Sequence, residues 1–237
     1  MTAPALTILK DWPRHPIQRY PVFLQASSNQ FSDAMGGIGT LKTPLRRFSG
    51  GVRLLGSALP VWTAPGDNLA PYAALKVVQP GDILVVASAS YTGCALLGDH
   101  IMGLLNNAKA AGMITDGLVR DLEGLRDINL PVYAAGTSPL IPTKQGPGTV
   151  GLPITLGSVV IHPGDLVIAD DDGIVIVPPN EFAQVSEKLI ALRERDAALE
   201  QRVRSGATEP PDFEQLLERV GVRWLAPDTV STKRSRE

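Results

Sequence analysis

Apolar residues along this chain recur in two rhythms. From Gly98 to Gly112, the positions Ile101, Leu104, Leu105, Ala108 and Ala111 keep the spacing of a helix buried on one face. Gly98-Asp99 suits the start of that helix and Gly112 its stop. Elsewhere the apolar residues come in short unbroken runs: Ile83 to Val86, Met113-Ile114-Thr115, Leu130 to Ala134, Leu166 to Ala169 and Ile174 to Val177. These are strand-sized. Two of them follow the same turn, Gln79-Pro80-Gly81-Asp82 and His162-Pro163-Gly164-Asp165, which reads either as a pair of similar strands or as one common turn used twice. Further helices are expected near Pro71 to Val77, just before Asn129, from Asn180 to about Arg204, and over residues 213–220. Ser32-Asp33-Ala34 looks like a helix start that Gly36-Gly37 breaks, and Thr137 to Pro153 reads as a long loop able to line a site.

This alternation predicts an α/β fold. The first thirty residues carry Pro4, Pro13, Pro16 and Pro21 with little periodicity, so residues 1–30 read as an arm covering the core or a neighbouring subunit. Residues 31–204 then form a single domain and 205–237 a tail with a basic, solvated end at Lys233-Arg234-Ser235-Arg236.

Composition narrows the function. The 237 residues include 22 basic and 24 acidic side chains, so no clustered basic footprint for nucleic acid is expected. Mean hydropathy is +0.08 and the apolar runs are too short to cross a membrane. The start lacks a secretory signal, and the lone Cys94 cannot close an internal disulfide, which suits a cytoplasmic protein. Cys94 with His15, His100 and His162 cannot make a His-rich zinc site. Cys94 reads as packing, His100 as an exposed helix residue, His162 as a surface turn and Asp170-Asp171-Asp172-Gly173 as a tight acidic turn.

Chemistry concentrates in Asp99, Arg120 and Asp121. A helix start at Asp99 offers unpaired N–H groups to an anion. Arg120 offers a planar fork to a carboxylate, and Asp121 a hard oxygen to a divalent cation. The helix-to-strand passage between them returns the chain toward the same end. A structural reading stands beside this one, because Asp at helix caps and Arg-Asp in turns are both common.

The stretch GDHIMGLLNNAKAAGMITDGLVRD resembles the signature of the family that contains the 4-hydroxy-4-methyl-2-oxoglutarate aldolases and the RraA-type regulators of ribonuclease E. Its pattern is an Asp, twenty residues, then Arg-Asp; here Asp99, residues 100–119, and Arg120-Asp121. Ser32-Asp33-Ala34, Gly66-Asp67-Asn68, Pro80-Gly81-Asp82, Asp116-Gly117 and the Ala169 to Gly173 run extend the similarity over residues 30–200. The resemblance implies an α/β sandwich of the swivelling β/β/α type. It implies that backbone amides at Gly98, Asp99, His100 and Ile101 hold the carboxylate and keto oxygen of a pyruvyl unit, and that Arg120 contacts the substrate. It implies that Asp121 binds Mg²⁺ or Mn²⁺, partly through waters, while Asp99 orients a water that shuttles protons. It also implies a homotrimer or homohexamer with sites at the interfaces. A neighbour's acidic residue would then approach each site, with Glu194, Asp196 and Glu200 the nearest equivalents here.

Carried over in this way, the activity is metal-dependent cleavage of a 4-hydroxy-2-oxo acid to pyruvate, with oxaloacetate decarboxylated through the same enolate. A Schiff-base aldolase would need a buried lysine, and the lysines lie in polar contexts. The alternative is a non-catalytic, RraA-like regulator that binds a ribonuclease; the complete Asp-x20-Arg-Asp pattern favours the enzyme. No glycine-rich loop follows a first strand to hold S-adenosylmethionine.

Overall fold

The computed structural model describes residues 4–225, so the basic run at 233–236 lies outside the described residues. They divide into two units between Leu192 and Arg193. The first unit opens with β1 (Leu6–Ile8), α1 (Ser28–Ala34), β2 (Arg46–Ser49), β3 (Leu54–Thr63), α2 (Leu69–Ala74) and β4 (Asp82–Ala87). It continues through β5 (Ala95–Leu97), α3 (Asp99–Asn107), β6 (Gly112–Thr115), β7 (Leu118–Val119), α4 (Leu122–Ile128), β8 (Val132–Ala134) and β9 (Gly136–Thr137). It closes with β10 (Gly148–Val150), β11 (Ile154–Leu156), β12 (Val159–Ile161), β13 (Leu166–Ala169), β14 (Ile174–Val177) and the start of α5 (Phe182–Arg204). The result is a mixed α/β fold.

The main sheet runs β1-β10-β3-β4-β6-β8-β2, and the β13–β14 hairpin joins it at β3. Strands β3, β4, β6 and β8 are mutually parallel. Both faces are covered, which is why the strands read as unbroken apolar runs rather than as an alternation. In β4, Leu84 and Val86 face α2, α3 and α4, while Ile83, Val85 and Ala87 face the layer that includes β11 and β12. In β13 and β14, Val167, Ala169, Ile174 and Ile176 join that second layer. Leu166, Ile168, Val175 and Val177 turn to a third cluster with Phe23, Phe31 and Phe182.

The two Pro-Gly-Asp turns prove alike in detail. Gly81 and Gly164 take the left-handed φ values of 85° and 90° that the turn requires. Each Asp is buried and accepts the N–H three residues back: Gln79 to Asp82 at 2.9 Å and His162 to Asp165 at 2.8 Å. Both turns dock on the same level of β3, through Ser57 N–H to Gly81 O and Ala58 N–H to Asp165 O. They differ in charge partners. Arg14 grips Asp82 with two 2.9 Å bonds, Nε to Oδ1 and Nη2 to Oδ2. Asp165 has no such clamp, and burial pushes its carboxyl above the ordinary range.

Several expectations need correction. Ser32-Asp33-Ala34 ends α1 rather than starting it; the helix begins after Ser27, whose N–H bonds Gln30 Oε1 at 3.3 Å in a capping box. α3 stops at Asn107, with Lys109 at φ 58°, so Gly112 belongs to β6. The Thr137 to Pro153 stretch contains a strand, β10, which bonds β1 on one side and β3 on the other. In the proline-rich opening, Leu6–Ile8 pairs with β10 and Trp12 is buried in the core.

The second unit continues α5 from Arg193 and adds α6 (Phe213–Val220). In it Glu194 and Glu200 are exposed, Glu200 pairs with Arg204 at 3.1 Å, and Asp196 is half-buried. No helix among the described residues is long and apolar enough to cross a membrane.

Because the Asp82 carboxylate is fully buried, removing its clamp strands a charge. Arg14→Ala is therefore expected to lower unfolding free energy by about 3 kcal/mol, read from urea denaturation.

Candidate active site

Strands β5, β7 and β9 form a small parallel sheet of their own. Its register sets Ala95 opposite Leu118 and Leu97 opposite Val119. The residues that leave the two strands, Gly98-Asp99 and Arg120-Asp121, are therefore neighbours, and Arg120 N–H bonds Leu97 O at 3.0 Å. That pairing is the physical meaning of the twenty-residue spacing. Each motif also opens a helix, α3 or α4, so two sets of unpaired N–H groups lie at one end of the sheet. The carboxyl ends of parallel strands are where α/β folds gather their ligands.

A cleft of about 190 Å³ opens there, lined by Gly98, Asp99, His100, Arg120 and Asp121 among others. Ile101, expected to offer its amide here, is not in the lining; it is 1% exposed and packs in the core. The His100 N–H is taken by Asp99 Oδ1 at 2.6 Å, which leaves its imidazole exposed.

Asp121 is not a structural helix cap. It stands at the N-cap of α4 without bonding any α4 N–H through its side chain, and its φ of 58° is left-handed. That conformation costs on the order of 1 kcal/mol for an L-residue. It turns the carboxylate toward Arg120, with Nε to Oδ2 at 3.1 Å, and leaves both side chains partly exposed to the cleft.

Another stretch of the wall comes from Asn68 and Tyr72 of the α2 region and from Ile141, Pro142 and Lys144 of the loop after β9. Lys144 Nζ lies 4.1 Å over the Tyr72 ring. Asp67 fixes this wall. Its carboxylate accepts Leu69 N–H at 2.8 Å, Gln145 N–H at 2.5 Å and Thr143 Oγ1–H at 2.8 Å. Burial alone would raise the Asp67 carboxyl, but these donors outweigh it and hold it below the ordinary value of 3.8. Asn68 Nδ2 donates to Leu96 O at 2.8 Å, and its Oδ1 is buried without a hydrogen-bond partner among the described residues. The expected site-lining loop does supply Ile141, Pro142 and Lys144, whereas sequence reasoning missed Asn68 and Tyr72, for which Gly66-Asp67-Asn68 was the available signal.

Among the described residues no three His, Cys, Asp or Glu side chains converge as a metal cage. The cleft-lining carboxylate of Asp121 suits Mg²⁺ or Mn²⁺, because such a hard cation commonly takes one or two carboxylates and fills its remaining positions with water and substrate oxygens.

A second cavity of about 260 Å³, lined by Arg46, Arg47, Tyr133 and Asp170 to Gly173 among others, shares no lining residue with the cleft. Arg47 holds Asp171 at 2.8 and 3.1 Å and draws its carboxyl below the usual range. The buried Tyr133 hydroxyl, pushed up to about 12, donates to Val52 O.

Comparison with known proteins adds to this geometry. The sequence pattern of the RraA-like family, described as Aldolase/RraA, matches residues 28–176. A protein of Halalkalibacterium halodurans, provisionally named a 4-hydroxy-4-methyl-2-oxoglutarate aldolase, is 31% identical over 172 residues, covering 73% of this chain and 82% of its own. A Streptomyces coelicolor structure titled RraAS2, an unusual member of the RNase ES inhibitor RraA family, is 28% identical with a TM-score of 0.68. It covers 79% of this chain and 98% of its own. A Geobacillus kaustophilus structure titled S-adenosylmethionine: 2-dimethylmenaquinone methyltransferase is 29% identical with a TM-score of 0.61, covering 64% of this chain and 94% of its own.

The depressed Asp67 carboxyl contributes stability above its unfolded value, and that stability is lost as pH falls through the folded one. Asp67→Asn presents an amide where donors converge. Its expected cost is about 1–3 kcal/mol at pH 7, shrinking below about pH 4, as read from denaturant midpoints across pH.

Proposed function

This chain belongs to the Aldolase/RraA family, and from that footing we propose that it is a divalent-metal-dependent carbon–carbon lyase that releases pyruvate from a 4-hydroxy-2-oxo acid of the 4-hydroxy-4-methyl-2-oxoglutarate type. One observation carries the reading. Asp99, Arg120 and Asp121 line one cleft where two helices begin, and Lys144 belongs to the same lining. Two cations in one small polar cleft suit a substrate with a carboxylate at each end.

In this reading, Asp121 would hold Mg²⁺ or Mn²⁺, which would supply positive charge for the developing enolate. The Arg120 guanidinium and the opening amides of α3 bind the 1-carboxylate and face the oxygen on which charge develops. Lys144 takes the distal carboxylate and sets which end of the substrate points inward. The reacting bond is C3–C4. A base takes the proton of the C4 hydroxyl, a carbonyl forms at C4, and the bonding electron pair passes to the 2-oxo oxygen to give pyruvate enolate. Asp99, half-exposed at the start of α3, is the group placed to receive that proton directly or through a water. The enolate then takes a proton at C3 and leaves as pyruvate. Oxaloacetate would reach the same enolate without the base, its C4 carboxylate leaving as carbon dioxide while the C3–C4 electron pair passes to the 2-oxo oxygen.

A coupled assay for pyruvate, run on 4-hydroxy-4-methyl-2-oxoglutarate and on oxaloacetate with Mg²⁺, Mn²⁺ or EDTA, tests the proposal. Asp121→Ala and Arg120→Ala are each expected to lower kcat/KM by about a hundredfold or more, and EDTA to abolish release. A folded wild-type protein that releases no pyruvate from either compound and binds none would overturn it. The second reading, a regulator like the RNase inhibitor family named for RraAS2, would then lead.

A further inference from the structure

The starts of α3 and α4 fit together in a way that motif and spacing do not reveal. Gly98, immediately before α3, has extended backbone at φ −139°, which any residue can adopt. A Cβ built there would lie 2.4 Å from Asp121 Oδ2. Gly124 sits inside α4, where alanine is the better helix former. A Cβ built there would lie 2.5 Å from Asp99 Oδ2 and 2.8 Å from Asp99 Cβ. Neither glycine is required by its own backbone. Each is required by the space that the opposite helix's aspartate fills.

The arrangement is reciprocal. α3 carries Asp99 and is preceded by the glycine that receives Asp121, whereas α4 follows Asp121 and contains the glycine that receives Asp99. We infer that Gly98 and Gly124 are a pair of positioning residues that fix the two cleft carboxylates by leaving out their own side chains. This rests on the proposed function only for its kinetic consequence; the seating itself is a matter of packing.

The sequence around each position supports the assignment. Leu122, Leu125 and Ile128 give α4 its apolar face, and a glycine at 124 adds nothing to that packing or to helix formation. Asp99 is half-exposed, so its Oδ2 can swing away from a methyl group at position 124, but its Cβ at 2.8 Å belongs to the start of α3 and moves only with that backbone. Asp121 has less freedom. Its Oδ2 is held by Arg120 Nε, and the Arg120 Cγ lies 3.2 Å from the Cβ position of residue 98. A methyl group at 98 would therefore displace the Arg120-Asp121 pair as a unit.

The test is a double-mutant cycle on the full chain. Gly124→Ala is made in wild type and in Asp99→Ala, and Gly98→Ala in wild type and in Asp121→Ala. Thermal unfolding is read for all, Mn²⁺ affinity by the free-ion electron spin resonance signal, and pyruvate release where wild type is active. The expected result is that Gly124→Ala costs less in Tm in the Asp99→Ala background than in wild type, because the Oδ2 at 2.5 Å is gone and only the 2.8 Å approach to the Cβ remains. In wild type it is expected to lower kcat at least tenfold with KM within about twofold, and to leave kcat unchanged in Asp99→Ala. Gly98→Ala is expected to weaken Mn²⁺ binding at least tenfold in wild type and to change it less than twofold in Asp121→Ala.

Equal Tm changes in both backgrounds of each cycle would overturn the inference. So would a Gly124→Ala protein with wild-type kcat in an active enzyme. Should wild type lack turnover, the functional reading falls and the thermal cycles alone decide the seating.

Discussion

The hydrogen-bond ladders on both edges of β3 hold the rest of this fold in place. One edge is given to β4, residue by residue from Ser57 to Trp62. The other is divided, with β13 on Leu54 to Ser57 and β10 on Val61 to Thr63. The two Pro-Gly-Asp turns meet β3 between these blocks. A strand used so fully must satisfy every amide at its borders, because water does not reach them. Buried carboxylates do much of that work. Asp82 and Asp165 close the turns on β3, and Asp116 holds the loop after β4 through Ser88 N–H, Ser88 Oγ and Ser90 N–H. Asp82 and Asp116 belong to motifs that carry the family resemblance, and they serve the backbone. Asp99 and Asp121 stand apart from them in facing a cleft.

What the sequence made legible follows from how local each signal is. α3 was readable from the helical spacing of Ile101 and Leu105, which are buried, although Leu104 of the expected face is 46% exposed and Met102 is buried instead. β4, β13 and β14 were readable because burial on two faces leaves no polar position to interrupt the run. The missed features are set from a distance. Gly148-Thr149-Val150 has no strand pattern of its own and becomes β10 because Trp62 and Leu6 stand on either side of it. The start of α1 depends on a Ser27–Gln30 exchange that lies outside the apolar periodicity.

The site divides along the same line. Asp99 and Arg120-Asp121 could be paired from the chain because β5 and β7 are adjacent parallel strands, so a fixed spacing brings their ends together. Asn68, Tyr72 and Lys144 could not, because their place depends on Asp67 reaching across to Thr143 and Gln145. One wall of the cleft is thus encoded by spacing and the other by a single buried carboxylate. The first wall is constrained by strand register. The second is free to vary with the loop that Asp67 ties down, and substrate preference can change there without disturbing the cleavage chemistry.

The divided edge of β3 has a consequence for how the chain is made. During synthesis, β3, β4 and β6 leave the ribosome early and can pair at once through parallel ladders. The partners for the other edge of β3, β10 and above all β13, come much later. Until then the nascent protein carries an open apolar strand edge, the feature most prone to wrong pairing with another chain. The late closure makes the C-terminal part of the fold its own safeguard against aggregation: a chain cut short before Leu166 would keep most of its site residues and leave that edge uncovered.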